Sequence, residues 1–331
     1  MNPVFHSRHR YLPQAGEEVV RVRILSSKGW YAAGEIALPD AFIYADDDLA
    51  LIVSKGYSWN HYIEDASFDE FDWPYPVELR LMGSFIFCED YRDSRVLFYP
   101  RSDPTLTLVP QTVDLADPRS RQAVVELVKD IGSWPVPDLL LDGMRKSIAS
   151  ENYSTFDGSH LDTARIAATW NLIEPTNFVL LRGISAILKC DMLGRHREFS
   201  AEALMSLYIA MECSFQLVLE ALKARGNPNP SASDAAQWMY EVFESPFGED
   251  PPNEGYKYLH DYYESRIATF HPRSRFGDLP FVPHFQDDLI DLRARLSSVF
   301  GYMLHGSHTD EFVEAVETFK RSASRRAEEK P

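Results

Sequence analysis

The sequence is short of positive charge and of cysteine. Its 331 residues include 33 lysines and arginines against 50 aspartates and glutamates, a formal net charge of −17 at pH 7. Binding to a nucleic-acid backbone depends on lysine and arginine, so this balance excludes a large nonspecific nucleic-acid surface, and any anion site must be built locally. The three cysteines, Cys88, Cys190 and Cys213, are far apart. Their odd number and spacing favour reduced thiols over a disulfide framework or a zinc site.

Long apolar runs are also missing. No stretch approaches the roughly 20 consecutive apolar residues of a membrane helix. Residues 1–18 lack the apolar core of a signal peptide. The composition, 45% apolar and 25% charged, is that of an ordinary soluble globular protein. We therefore expect a cytoplasmic protein without a membrane partner and, at this length, one large domain or two ordinary ones.

The N-terminal half has the hydrophobic period of a β-sheet. Four segments alternate apolar with polar residues, as half-buried strands do: 18–26, 77–89, 95–100 and 105–115. Residues 118–131 have a helical pattern, with Pro118 near the start. We predict a mostly-β domain over residues 1–150, with a recognition or sensor role, and a boundary near the turn-rich segment 150–160.

After that segment the hydrophobic period becomes helical. Ser200 is a good N-cap and Gly226 a good stop for a helix. Seven apolar residues would form its buried face: Leu204, Leu207, Tyr208, Met211, Phe215, Val218 and Leu222. Residues 287–306 repeat the pattern. We predict an all-α bundle of five or six helices over residues 151–320, followed by a frayed tail over 321–331. The whole chain then has an α+β fold.

Two further patterns have both a plain and a functional interpretation. Acidic runs at 44–50 and 62–76 are typical of solvated loops, and their aromatic residues also suit docking of a basic protein partner. Two histidine pairs have the short spacing of metal ligands: His6 with His9, and His305 with His308. Neither pair is held by a regular helix, so we expect surface histidines, with no metal and no cofactor.

The most informative stretch is YYESRIATFHPRSRFG, residues 262–277. Apolar residues at three- and four-residue spacing predict a helix there, and Pro272 disfavours helical geometry at His271, so the helix should end at that residue. In a regular helix Arg266 and His271 would point about 140° apart. Because the helix breaks, His271 is free to fold back, and the two side chains can meet at one anion.

A histidine and an arginine at one anion suit metal-free cleavage of RNA. An imidazole can accept the proton of an attacking 2′-hydroxyl or donate one to the leaving oxygen. A guanidinium binds the phosphate through two parallel hydrogen bonds and opposes the charge that grows in the transition state. Arg273 and Arg275 would extend the phosphate contacts. Tyr262, one turn before Arg266, would stack on a base or bond the phosphate.

This pair resembles the motif of the HEPN superfamily (higher eukaryotes and prokaryotes nucleotide-binding), in which a histidine follows an arginine after four to six residues. The tyrosine three residues before Arg266 and the basic, glycine-containing turn after His271 are similar to the bacterial Apea-like branch. The preceding apolar helix is also similar, since Glu212 interrupts it as an acidic residue does in that branch. Ile267 departs from the pattern, because active members commonly have a polar residue there. The resemblance covers roughly residues 160–307.

The resemblance implies a metal-independent RNA endonuclease of the kind often found among bacterial toxins and phage-defence effectors. The active site of such enzymes is usually formed where two protomers bring their motifs together. RNA and a second copy of the chain are therefore the implied partners. Carried over to this sequence, Arg266 and His271 are the catalytic pair, and Glu212 supports them.

The sequence leaves two other functions open. Some HEPN domains do not cleave RNA and serve in dimerisation or nucleotide binding. In a non-catalytic interaction protein, Arg266 would pair with an acidic neighbour such as Glu212 or Asp261, and His271 would only end a helix. The acidic N-terminal surface would then bind a protein. In a nucleotide sensor, the same arginines would bind a small nucleotide without cleaving it.

Overall fold

The structure is a computed structural model that describes the following residues: 17–25, 34–46, 50–57, 76–88, 100–130, 163–194, 197–248, 262, 265–267 and 286–328. The chain forms two compact units, Met1–Thr176 and Asn177–Pro331. The sequence placed the boundary near residue 150, whereas the units divide after Thr176. The helix Thr163–Leu172 therefore belongs to the first unit and not to the bundle.

The first unit is built on a five-stranded antiparallel sheet with the order β2-β3-β4-β1-β5. Its strands are β1 (Glu18–Leu25), β2 (Gly34–Leu38), β3 (Ala41–Ala45), β4 (Ala50–Tyr57) and β5 (Pro100–Leu108). In the register of β1 and β4, Glu18 faces Tyr57 and Leu25 faces Ala50. The strand predicted over 18–26 is confirmed, and the one predicted over 105–115 is present up to Leu108.

The two faces of β1 carry different chemistry, because successive side chains of a strand point to opposite sides. One face packs apolar side chains against helix α2 (Pro118–Asp130): Val20, Val22 and Ile24 meet Val124, Val125 and Val128 in a single core cluster. The other face carries Arg21 and Arg23. Arg23 donates hydrogen bonds of 2.9 Å and 3.2 Å to the carboxylate of Glu78, and both side chains are fully buried.

Glu78 lies on helix α1 (Pro76–Ile86), where the sequence predicted a strand over 77–89, and that prediction is wrong. Proline suits the first turn of a helix, and the leucine, methionine, glutamate and arginine that follow are strong helix formers. The helix packs against β4 on one side and against α3 (Thr163–Leu172) on another. Because it is buried almost all round, it lacks the polar stripe that would have revealed a helical period.

The helix α3 is bound to α1 by specific contacts between residues far apart in sequence. The guanidinium of Arg80 donates a 2.8 Å hydrogen bond to the carbonyl of Trp170 and lies 4.1 Å from the centre of the Trp170 ring. The Trp170 side chain is itself buried. These contacts explain why α3 belongs with the sheet.

In the part of the second unit that the structure describes, every regular element is helical. The helices are α4 (Phe178–Leu193), α5 (Ser200–Ala224), α6 (Ala232–Met239), α7 (Gln286–His305) and α8 (Asp310–Glu328). The central helix is α5, which packs against α4, α6 and α7. Most of its predicted face is buried, at Leu204, Leu207, Tyr208, Met211 and Val218. The α+β fold class is therefore confirmed.

By length and composition α5 is apolar enough to cross a membrane, and it is the one such helix among the described residues. Its 18-residue apolar window is 56% buried inside the protein. Three helices of the bundle supply that cover. This is the situation of a core helix in a bundle.

Helices α4 and α7 are joined by a buried ion pair and a close glycine contact. Arg293 donates hydrogen bonds of 3.1 Å and 2.7 Å to the two carboxylate oxygens of Asp191. A Cβ added at Gly183 would come within 2.5 Å of the Phe300 ring, so α7 reaches α4 only because residue 183 has no side chain.

The C-terminal helix α8 extends through residues 321–328, which the sequence expected to be frayed. After α6 the chain makes a π-turn (Tyr240–Glu244) and a short 3-10 turn (Ser245–Phe247). The ring of Phe247 lies 5.5 Å from that of Phe312 and 5.6 Å from that of Phe319, centre to centre. These aromatic contacts pack α8 against the turn.

Candidate functional site

The arginine of the HEPN-like motif lies at the surface of the second unit and is ion-paired. Arg266 belongs to a helical segment, residues 265–267. Its Nε is 3.1 Å from Oε1 of Glu212, with 29% of the arginine side chain and 48% of the glutamate side chain exposed. The predicted supporting residue Glu212 therefore contacts the predicted catalytic arginine directly.

The ion pair forms part of an open groove of about 560 Å³. Two other residues, Phe178 and Arg182, come from the first turns of α4. Helix α5 contributes Ile209, Glu212 and Gln216. Beneath these exposed side chains lie the buried residues Tyr208 and Cys213.

Helical periodicity explains why these residues converge. Phe178 and Arg182 are four residues apart, and Ile209, Glu212 and Gln216 are three and four apart, so each set occupies one face of its helix. The start of α4 is fixed by Asn177, whose side-chain oxygen accepts a 3.1 Å hydrogen bond from the amide of Leu180. This cap places Phe178 in the first helical turn at the mouth of the groove.

The groove differs in charge from the chain as a whole. Its lining holds two arginines, Arg182 and Arg266, and one carboxylate, Glu212. The protein as a whole carries a net charge of −17. A local excess of arginine is what an acidic protein requires if it is to bind an anion.

The thiol of Cys213 interacts electrostatically with Arg182 and Glu212, and it is in its neutral form. Burial raises the pKa of Cys213, Glu212 raises it further, and Arg182 partly opposes the change. Because the thiolate is the reactive form of cysteine, a raised pKa makes this thiol a poor nucleophile. Cys213 is a wall of the groove and not its reactive group.

The remaining residues predicted for the site have different positions. Tyr262 is buried, with 9% of its surface exposed, which leaves little of its ring for stacking on a base. Ile267 is partly exposed beside Arg266. The predicted base His271 and the predicted phosphate contacts Arg273 and Arg275 lie outside the described residues, as do Asp261, His6, His9 and residues 62–75 of the acidic run 62–76.

His308 is a packing residue in an aromatic cluster. Its ring stacks on Phe312, with ring centres 3.9 Å apart and planes inclined by 8°, and lies 4.7 Å from the Tyr302 ring. Burial lowers the pKa of His308, and a hydrogen bond with the Val242 backbone opposes that change. Within the described ranges, no three histidine, cysteine or acidic side chains come together in the way a metal site requires.

Phe178 and Arg182 were not identified from the sequence. Their spacing of four residues was available, but the run FVLLRGISAIL is apolar nearly throughout, so periodicity could not show which side would remain exposed. The packing of α4 on α5 makes that choice. Comparisons with protein-family models, with curated proteins and with solved structures found no match for this chain.

Proposed function

We propose that this protein is a metal-independent RNA endonuclease of the HEPN type, with Arg266 and His271 as its catalytic pair. The observation that supports the proposal is the position of Arg266. Its guanidinium is partly exposed in a groove that also contains Arg182. The protein as a whole is strongly acidic. Such an arrangement suits a phosphate that must be bound at one place and nowhere else.

The proposed reaction uses side chains alone. The 2′-hydroxyl attacks the adjacent phosphorus while an imidazole of His271 takes its proton, and the P–O5′ bond breaks as the leaving oxygen receives a proton. Arg266 neutralises the phosphate as charge builds on its oxygens. The products are a 2′,3′-cyclic phosphate and a 5′-hydroxyl. A homodimer that brings two motifs together supplies one histidine as base and the other as acid.

Glu212 competes with the phosphate for Arg266. An ion pair exposed to this degree contributes about 0.2–1 kcal/mol, because solvent screens it and two long side chains lose freedom. A doubly hydrogen-bonded phosphate is a stronger partner for arginine than such a pair. Glu212 therefore orients Arg266 in the absence of RNA and releases it when a phosphate arrives.

The rest of the chain fits a regulated enzyme of the cytoplasm. The first unit would recognise a trigger, a protein partner or the RNA itself. A toxin or phage-defence role would follow from a nuclease that stays silent until its trigger appears. The buried environment of α5 supports a core helix over a membrane anchor.

The Arg266–Glu212 ion pair also favours a second candidate function, a non-catalytic dimerisation and binding module. In that case the pair is a surface contact, and the bundle presents the groove to a protein or a nucleotide without cleaving it. The two functions differ in one measurable respect, which is the breaking of a phosphodiester bond.

The deciding experiment incubates labelled single-stranded RNA and tRNA in EDTA with the wild type, His271→Ala and Arg266→Ala. A matched control is Arg225→Gln, which removes an exposed arginine at the C-terminal end of α5, outside the groove. Cleavage by the wild type and the control alone, leaving 2′,3′-cyclic phosphate ends, would support the nuclease. Cleavage that persists in His271→Ala would show that His271 is not the catalytic base, and no cleavage by any variant with the dimer intact would favour the binding module.

A further inference from the structure

Phe178 is an exposed aromatic residue in the lining of the groove. It lies in the first turn of α4, and 47% of its surface is open to solvent. Two and three residues later, Leu180 and Leu181 are buried in the core. An exposed aromatic ring at the edge of a charged groove offers a flat face for stacking.

Arg182 is the neighbour of Phe178 on the same face of α4 and is also exposed. Residues four apart on a helix have Cβ atoms about 5–6 Å from each other. A ring and a guanidinium at that separation can contact the base and the phosphate of a single nucleotide. Proteins that bind single-stranded nucleic acid combine these two elements, an aromatic platform and a positively charged groove.

We infer that Phe178 and Arg182 form a nucleotide subsite beside Arg266, in which an unpaired RNA base stacks on Phe178 and its phosphate binds Arg182. This inference rests on the proposed function and specifies its substrate, a single-stranded segment whose bases are free to leave the stack. A base inside a duplex cannot reach the ring, because its faces are covered by its neighbours.

The charge of the groove selects this occupant over another protein surface. The proposed homodimer requires a second copy that borders the groove and leaves it open, whereas a copy seated on Phe178 would remove Arg182 and the Arg266–Glu212 pair from water, which is costly for charged groups. A phosphodiester brings its own negative charge to the two arginines. The groove then binds the phosphate locally, whereas the net negative charge of the protein as a whole repels nucleic acid.

The test measures binding of a fluorescent single-stranded oligoadenylate by anisotropy in EDTA, with the full chain carrying His271→Ala so that the RNA stays intact. In that background, Phe178→Leu keeps the apolar bulk and removes the aromatic face, Phe178→Tyr restores it, and Arg182→Gln removes one cation. The matched controls are Phe199→Leu and Arg225→Gln, at exposed positions outside the groove.

We expect Phe178→Leu to bind RNA about tenfold more weakly, with an unchanged dependence on salt, and Phe178→Tyr to bind like its parent. Arg182→Gln should bind more weakly and also lower the slope of log affinity against log salt by about 0.7, the effect of one lost phosphate contact on a single strand. Both controls should bind like the parent. Duplex RNA of the same length should bind less tightly and should not distinguish Phe178→Leu from the parent.

Three results would overturn the inference. If the groove variants bind RNA like the controls while the wild type still cleaves RNA, the subsite is wrong and the nuclease stands. If Phe178→Leu instead weakens self-association in sedimentation, with RNA affinity unchanged, the groove is a protein interface. If the wild type neither binds nor cleaves RNA, the subsite and the proposed function both fail.

Discussion

Two arginine–carboxylate ion pairs of the second unit should respond very differently to loss of the carboxylate charge. The pair between Arg293 and Asp191 is buried, with side-chain exposures of 4% and 3%. The pair between Arg266 and Glu212 is open, with exposures of 29% and 48%. The isosteric changes Asp191→Asn and Glu212→Gln remove the same charge in these two environments. The comparison tests whether Arg266 is structural or is available to a ligand.

The expected magnitudes follow from burial. Asp191→Asn leaves the guanidinium of Arg293 uncompensated in the interior, which costs about 3 kcal/mol, the lower end of the range for breaking a buried pair, since the amide oxygen still accepts one bond. Glu212→Gln breaks a pair that water already screens, so the loss should be below about 1 kcal/mol. Molar salt should shrink the Glu212 effect further, because the Debye length falls to about 3 Å.

Hydrogen exchange of the amides of α4, α5 and α7 measures these losses as opening free energies of the helical unit. If Glu212→Gln destabilises the unit as much as Asp191→Asn does, Arg266 is a structural anchor and is not available to phosphate. If the cost is small, Glu212→Gln should also bind single-stranded RNA up to about fivefold more tightly, since a competitor worth at most about 1 kcal/mol has been removed.

Three other substitutions test the packing of the fold. Gly183→Ala should destabilise the bundle by about 1–3 kcal/mol, because the buried Phe300 ring 2.5 Å from the new Cβ has little room to move; the lowered Tm should recover when Phe300→Leu is added. Burial lowers the pKa of His308 below its ordinary 6.5. The folded chain therefore prefers neutral imidazole, and stability should fall as the pH drops through about 6.5, a dependence that His308→Phe should remove. Glu78→Gln should destabilise the first unit by about 3–5 kcal/mol, because Arg23 stays buried without its counter-charge.

Each of these expectations has a clear contrary result. An unchanged Tm in Gly183→Ala would mean that α4 and α7 move apart easily. A stability that rises on acidification would mean that the folded chain binds a proton at His308 more tightly than the unfolded chain does. A Glu78→Gln protein as stable as the parent in urea would mean that Arg23 finds other acceptors within the sheet.

Much of the secondary structure could be predicted because it depends on local pattern. The buried face of α5 follows from residues spaced three and four apart, and β1 follows from the alternation of valine and isoleucine with arginine over residues 20–24. The end of α5 at Gly226 is also predictable, because the residue after a helix often adopts a left-handed conformation that favours glycine. Gly226 has a φ of 101°. The error at α1 has the opposite cause. A helix covered by a sheet and by α3 needs no polar stripe, so its sequence loses the period that would identify it.

The site was only half predictable for a related reason. Arg266 and Glu212 were named from a motif and from a helix that an acidic residue interrupts, and the structure brings them into contact. Tyr262 was expected to face the ligand from one turn away, but it is buried. A spacing of four residues determines which side chains are neighbours on a helix. It does not determine whether that face of the helix points to the solvent or to the protein interior.

The sequence by itself determined the α+β class and the acidic balance, and it singled out Arg266, which lines the groove. Each of these is a property of single residues or of their local period. Only the tertiary structure decided that Phe178 and Arg182 would face the same groove as Arg266, and that Asp191 would be buried while Glu212 would stay exposed. Burial depends on what packs across a helix, and those contacts join residues far apart in the chain.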